Sequence, residues 1–259
     1  MFRDDALAEK VVLVTGGGSG LGLSMAKRFA SLGARVAIIG RTQAKLDAAL
    51  LEIDAGDRAM AFAADVRDAG AVHDAVASVI ARFGRIDVLV NNAAGNFLAA
   101  TEDLSPNAFD AVVRTVLYGT FNMTAEVGRH MIERGSGGAM LNIVTTYAWT
   151  GSAFVVPSAV SKAGVLALTR SLAVEWATYG IRTNAIAPGP FPTEGAWQQL
   201  MPTKQMEETA KARIPLGRFG EHDELTNLAA FLISDAAPFI NGECVTIDGG
   251  EWLSAGGEF

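Results

Sequence analysis

The sequence predicts a doubly wound α/β fold, a seven-stranded parallel sheet flanked by helices on both faces, and three observations carry that reading. Short β-branched and aliphatic runs alternate along the chain with longer stretches of helical periodicity. Most of these runs are continuous in hydrophobicity rather than alternating, as strands are when helices cover both of their faces. The first run leads straight into a glycine cluster and then a helix, an arrangement suited to holding phosphate.

The expected strands are 11–15, 35–39, 59–63, 86–91, 139–145, 182–187 and 244–247, each short and rich in Val, Ile, Ala or Leu. Between them, residues 21–32, 43–53, 69–83, 108–134, 158–179 and 223–233 carry apolar side chains at helical spacing, which predicts six helices. Residues 190–215 break the rhythm with Pro192 and Pro202, and read as a substrate lid, a mobile loop with a short helix. With 259 residues and 50% hydrophobic content, one core and a single domain over 1–259 are expected.

Composition narrows the function classes. The net charge of −7 comes without a basic run, which argues against nucleic acid or an anionic membrane as partner. Cys244 is the lone cysteine, so neither an internal disulfide nor a cysteine metal cluster can form. His73, His130 and His222 lack metal-ligand spacing and read as surface or packing residues, so no metal is expected. The first ten residues are mixed in charge, unlike a signal peptide. No apolar stretch approaches the roughly 20 residues of a membrane helix, and the final Gly-Gly-Glu-Phe is not a peroxisomal address. A cytoplasmic location is expected.

The glycine cluster reads Thr15-Gly16-Gly17-Gly18-Ser19-Gly20-Leu21-Gly22. Side chains there would keep the backbone away from a pyrophosphate, and the following helix N-terminus offers unpaired N–H groups. After the second strand, where an NAD enzyme usually places an acid against the ribose, stands Arg41, whose guanidinium suits the 2′-phosphate of NADP. Asp65 and Val66 follow the third strand, placed for an adenine contact.

These features, with Asn91-Asn92-Ala93-Ala94-Gly95, Pro188-Gly189-Pro190 and Asp248-Gly249-Gly250, resemble the short-chain dehydrogenase/reductase family over essentially the whole chain. The resemblance implies a Rossmann-type fold, a homotetramer and an NADP(H) site. It would be lined by Gly16, Gly17, Gly18, Ser19, Gly20, Leu21, Arg41, Asp65, Val66, Pro188, Gly189, Pro190 and Phe191.

Most members of that family carry Tyr-x-x-x-Lys on one helix, a spacing that puts both side chains on one face. Here the pair is Ser158 and Lys162, Thr145 stands at the helper-serine position and Val116 where an asparagine is usual. A serine hydroxyl is a far poorer proton donor near neutrality than a phenol, which argues against the usual carbonyl reduction. The short-chain 2,4-dienoyl-CoA reductases share this departure and move the working tyrosine to the end of the fifth strand. The chain resembles them in Asn91 to Phe97, Leu104 to Ala108, Thr145 to Ser152 and Asn227 to Leu232.

That resemblance implies an acyl-CoA thioester substrate, with Tyr147 as proton donor. Asn96 and the tyrosine hydroxyl would hold the thioester oxygen, Lys162 the nicotinamide ribose, and Ser158 would add a hydrogen bond in the acyl pocket. Arg67, Phe97 and Ser105 would meet the substrate, and Gln199 replaces an arginine expected to meet CoA. Two other readings stay open: another NADP-dependent reductase of enoyl or 3-oxoacyl thioesters, and a non-catalytic NADPH-binding protein.

Overall fold

The structure, a computed structural model, describes residues 3–193 and 203–254. Seven parallel strands form one sheet in the order β3-β2-β1-β4-β5-β6-β7. They span Val11–Thr15 (β1), Arg35–Gly40 (β2), Ala59–Ala63 (β3), Val88–Asn91 (β4), Gly138–Ile143 (β5), Ile181–Pro188 (β6) and Cys244–Ile247 (β7). The chain builds outward from β1 to β3, then crosses back to set β4 on the other side of β1. Val14 pairs with Ile38 on one flank and Val90 on the other. Reversal of strand order opens a crevice at the carboxyl ends of β1 and β4, where doubly wound sheets bind ligands.

Helices cover both faces. Those before the switch are α1 (Gly20–Ser31), α2 (Gln43–Ile53) and α3 (Ala69–Phe83). Met25 and Phe29 of α1 join Val12, Val14 and Ile38 in one core cluster; Val72, Val76 and Val79 of α3 join Val11, Leu13 and Ile39 in a second on the opposite face. Alternate residues of β1 thus serve alternate faces, and since both faces are dry the strand reads as an unbroken apolar run. Removing a side chain of this size from water is worth about 1.5–3 kcal/mol.

The helix expected at 108–134 forms with a defect. An α-helix at Pro106–Val113 (α4) passes through a π turn at Arg114–Tyr118 into Gly119–Arg134 (α5), and the backbone stays helical across both joints. Ser105 starts α4 by accepting a hydrogen bond from the Ala108 N–H at 3.2 Å. The strand expected to reach Thr145 ends at Ile143, because the chain turns there into a single helical turn, Tyr147–Thr150 (α6). The expected strand at 86–91 begins two residues later, and Ile86 instead offers its N–H to His130 Nε2 at 3.3 Å.

The helix expected at 158–179 is α7 (Val156–Glu175), followed by a 3-10 turn at Ala177–Tyr179. Within the segment read as a lid, residues 194–202, and with them Gln199, lie outside the described residues; the short helix is Lys204–Ala212 (α8). The remaining helices are α9 (His222–Ile233), packed against α1, and α10 (Glu251–Ser254). No described helix is long and apolar enough to cross a membrane.

Candidate active site

The glycine cluster is bolted to the loop after β4. Thr15 Oγ1 accepts from the N–H groups of Asn92 and Ala93, both at 3.0 Å, and Asn92 Nδ2 donates to the Thr15 carbonyl at 3.1 Å. Space at this junction is fully used: a Cβ on Gly22 would lie 2.3 Å from the Gly16 carbonyl oxygen and 2.5 Å from Asn92 Nδ2. Only glycine lets the first turn of α1 come this close to the strand end.

Beside this junction runs a cavity of about 310 Å³, floored by Gly16, Gly18 and Ser19 and walled by Arg41, Lys45, Asp65 and Val66. Arg67 grips Asp65 through Nε, at 3.0 and 2.9 Å from its two carboxylate oxygens, and through its backbone N–H at 3.0 Å. These hydrogen bonds, foremost that of the Arg67 side chain, hold the Asp65 carboxyl below its ordinary pKa, with a smaller contribution from the charge of Arg41. Among the described residues neither the Arg41 nor the Lys45 side chain makes a hydrogen bond or ion pair. A floor of two glycines and a serine, with Arg41 just after β2 and Lys45 in the first turn of α2, fits the phosphates of a dinucleotide.

A second cavity, of about 610 Å³, continues past Leu21 and Asn92 and gathers Asn96, Phe97, Tyr147, Ser158, Lys162 and Pro188. Ser158 and Lys162 stand one turn apart on α7, and both are buried. The Tyr147 hydroxyl lies 2.9 Å from Ser158 Oγ. Lys162 Nζ donates to the Ile143 carbonyl at the end of β5, and burial pushes its pKa down to about 8. Asn96 Oδ1 accepts the Phe97 N–H at 2.9 Å, while its Nδ2 makes no hydrogen bond among the described residues and is available to donate.

The loop bearing Asn96 is strapped to the segment between Tyr147 and Ser158. Phe154 adopts a left-handed backbone (φ 64°), and its carbonyl accepts the Ala99 N–H at 3.0 Å. A non-glycine residue in this conformation stores about 1–2 kcal/mol. The walls of one cleft are thereby held by a single backbone bond.

Several expected site residues line neither of these two cavities. Ser105 caps α4, Arg67 is committed to Asp65, and the Phe191 side chain is buried in the core against Gly220. Gly17 abuts Ile38, and Gly20 sits beside Thr193. Gly189 and Pro190 line a third cavity of about 500 Å³ that shares Thr145, Tyr147 and Pro188 with the 610 Å³ cleft and is also lined by Trp252. Trp252 meets Trp149 edge to face, with ring centroids 5.6 Å apart. Two features escaped the sequence reading, Lys45 and the Thr15–Asn92 clamp, while Thr145, expected at the helper-serine position, lines the cleft with a buried hydroxyl that has no hydrogen-bond partner among the described residues. No group of three His, Cys, Asp or Glu among the described residues is placed to hold a metal.

A family model described as enoyl-(acyl carrier protein) reductase matches residues 16–251. The crystal structure of a short chain dehydrogenase from Bacillus anthracis aligns with a TM-score of 0.90 at 47% identity, covering 96% of this chain and 98% of that one. The chain belongs to the short-chain dehydrogenase/reductase family. Two members similar to it are named as probable 2,4-dienoyl-CoA reductases. One, from Bacillus subtilis, is designated (2E)-enoyl-CoA-producing and is 46% identical over 250 residues, 96% of this chain and 98% of its own. The other, from Caenorhabditis elegans, is designated (3E)-enoyl-CoA-producing and is 46% identical over 256 residues, 97% of this chain and 83% of its own. As a short-chain dehydrogenase/reductase the chain is an oxidoreductase with a nicotinamide cofactor, and the 310 Å³ groove fits that cofactor's phosphorylated half.

Proposed function

We propose that this chain is an NADPH-dependent 2,4-dienoyl-CoA reductase. The observation that carries the reading is the Tyr147–Ser158 hydrogen bond inside a cleft shared with Asn96 and Lys162, a proton donor and its support outside the usual Tyr-x-x-x-Lys frame. When bound, the reduced nicotinamide supplies hydride to the far end of a conjugated diene, whose electrons move toward the thioester oxygen. Asn96 Nδ2 and the Tyr147 hydroxyl hold that oxygen as negative charge develops, an effect worth about 3–4 kcal/mol per donor.

Tyr147 then gives its proton to the carbon next to the thioester, leaving a trans-3-enoyl-CoA, and Ser158 donates its own O–H to the phenolate left behind. Lys162 holds the nicotinamide ribose and lends positive charge to the cleft. Phe97 contacts the acyl-CoA, and Pro188, Gly189 and Pro190 back the nicotinamide. Arg41 selects the 2′-phosphate.

The names of the two relatives support the substrate and divide on the product. The role served is reduction of dienoyl thioesters during unsaturated fatty acid β-oxidation, in the cytoplasm and as a homotetramer. Exposed Tyr118 and Phe121 near the head of α5, and Val160 and Val174 on α7, supply apolar surface for such an assembly.

The description of the family model favours one second reading, reduction of a 2-enoyl thioester. The test offers the purified protein NADPH or NADH with a 2,4-dienoyl-CoA, a 2-enoyl-CoA or a 3-oxoacyl-CoA, and identifies the product by chromatography. NADPH oxidation with the dienoyl substrate, giving the 3-enoyl product, is expected. Turnover confined to the 2-enoyl or 3-oxoacyl substrate overturns the proposal. A 2-enoyl product from the dienoyl substrate keeps the substrate and moves the protonation site. Absence of turnover with all three leaves a dinucleotide-binding protein.

A further inference from the structure

We infer that His222 is a positioning residue for the nicotinamide cofactor, acting through the strip at 188–193, which runs from Pro188 in the 610 Å³ cleft to Thr193 beside Gly20 of the glycine loop. The strip reads Pro-Gly-Pro-Phe-Pro-Thr; beyond Pro188, where β6 ends, Pro190 and Pro192 carry carbonyls but no N–H, and their acceptors need donors from outside. The loop leading into α9 supplies them. The Gly220 N–H donates to the Pro190 carbonyl at 3.1 Å, and the Phe191 ring lies so close over Gly220 that a Cβ there would be 2.4 Å from it. His222 Nε2 lies 2.7 Å from the Pro192 carbonyl.

A carbonyl only accepts, so Nε2 carries a proton, and in the neutral ring Nδ1 is left to accept. It lies 2.7 Å from Ser24 Oγ, on the second turn of α1. One half-buried imidazole therefore joins three elements: the cofactor helix, the proline strip and α9. The residue after Pro192 shows what this fixes. Thr193 stands beside Gly20, where a Cβ on that glycine would be 3.5 Å from Thr193 Cγ2, and Pro188 at the other end of the strip lines the catalytic cleft. The reach of the strip over the glycine loop is set by the bond from His222.

The inference rests on the family's nicotinamide cofactor and not on the dienoyl substrate. Its test is a fluorescence titration of reduced nicotinamide without substrate, so the two fail separately. Asparagine places its amide near Nδ1 and keeps the Ser24 partner; glutamine reaches the Nε2 position and keeps the Pro192 bond. We expect His222→Ala and His222→Asn to weaken binding of the preferred reduced cofactor about tenfold, and His222→Gln to restore it to within about threefold of the parent. Ser24→Ala, which leaves the strip anchored, should change binding less than about threefold. Thermal unfolding of the same samples separates loss of fold from loss of positioning. Parent-like binding by His222→Ala, or equal weakening by Asn and Gln, overturns the inference.

Discussion

Tyr147 and Ser158 share a hydrogen bond of 2.9 Å in the 610 Å³ cleft, the serine standing where most of the family places its tyrosine. If the phenol gives up its proton and the serine steadies the phenolate, the two act as a unit. Tyr147→Phe should lower turnover by about 10²–10⁴-fold with cofactor binding intact. Ser158→Ala should lower it roughly 10- to 100-fold, the worth of a hydrogen bond to a charged group. The double variant should be no slower than Tyr147→Phe alone. Additive losses in steady-state rates would show that Ser158 serves the substrate and not the phenol.

Lys162 ties the pH profile to burial. Its pKa, pushed down to about 8 by desolvation, leaves it charged at pH 7 and about nine-tenths neutral at pH 9. If its charge is needed, turnover falls as pH rises through about 8. Stability moves the other way: with the folded pKa below the unfolded one, the unfolded chain binds more protons between about 8 and 10.5, so folding is favoured as pH rises through that window. Rate and thermal unfolding measured on one pH series should diverge there, and a joint decline above pH 8 would remove Lys162 as the cause.

Cofactor choice should depend on two cations. Arg41 and Lys45 line the same groove without ion-pair partners among the described residues, so Arg41→Asp should weaken NADPH far more than NADH, and Lys45→Ala should weaken NADPH by about tenfold or less. Titration with both cofactors reads the ratio. Equal losses for the two would place the phosphate elsewhere.

The junction of α1 with the strand end tolerates no added atom. Gly22→Ala would set a methyl 2.3 Å from the Gly16 carbonyl and force the glycine loop away from Asn92. We expect a destabilisation of about 1–3 kcal/mol together with loss of cofactor binding, read by thermal unfolding and titration. Parent-like behaviour in both would show that the clamp has slack.

The strand and helix plan is legible in the sequence because each element announces itself locally, by an apolar run or a 3.6-residue period. The limits of β5 are less so: residues 144–145 continue its apolar and β-branched character, yet the ladder stops at Ile143 as the chain curls into α6. Tyr147 is visible through its neighbours in the motif, whereas its partner distance is not. His222 reads as an isolated histidine because both its partners are far away in sequence, Ser24 198 residues and Pro192 30 residues distant. Spacing rules see one helix face at a time, and these bonds join three elements. Arg67 shows the converse, a residue assigned to substrate whose planar fork is occupied by the neighbouring Asp65.

The π turn at Arg114–Tyr118 also sets how the helix that contains it can change. Ahead of it, α4 and the turn itself lie against α7, with Leu117 so close to Gly164 that a Cβ there would be 2.9 Å away. Behind it, Asn122 donates to the Val66 carbonyl at 3.0 Å and Gly119 is pressed against the Val66 side chain. Each residue advances an α-helix by about 100°, so the wide turn shifts the phase of everything after it. The two halves are geared separately, one to α7, which carries Ser158 and Lys162, and the other to Val66 in the wall of the 310 Å³ groove. A chain shortened by one residue inside the turn would have to give up one meshing to keep the other, while substitutions on either side leave the gearing alone.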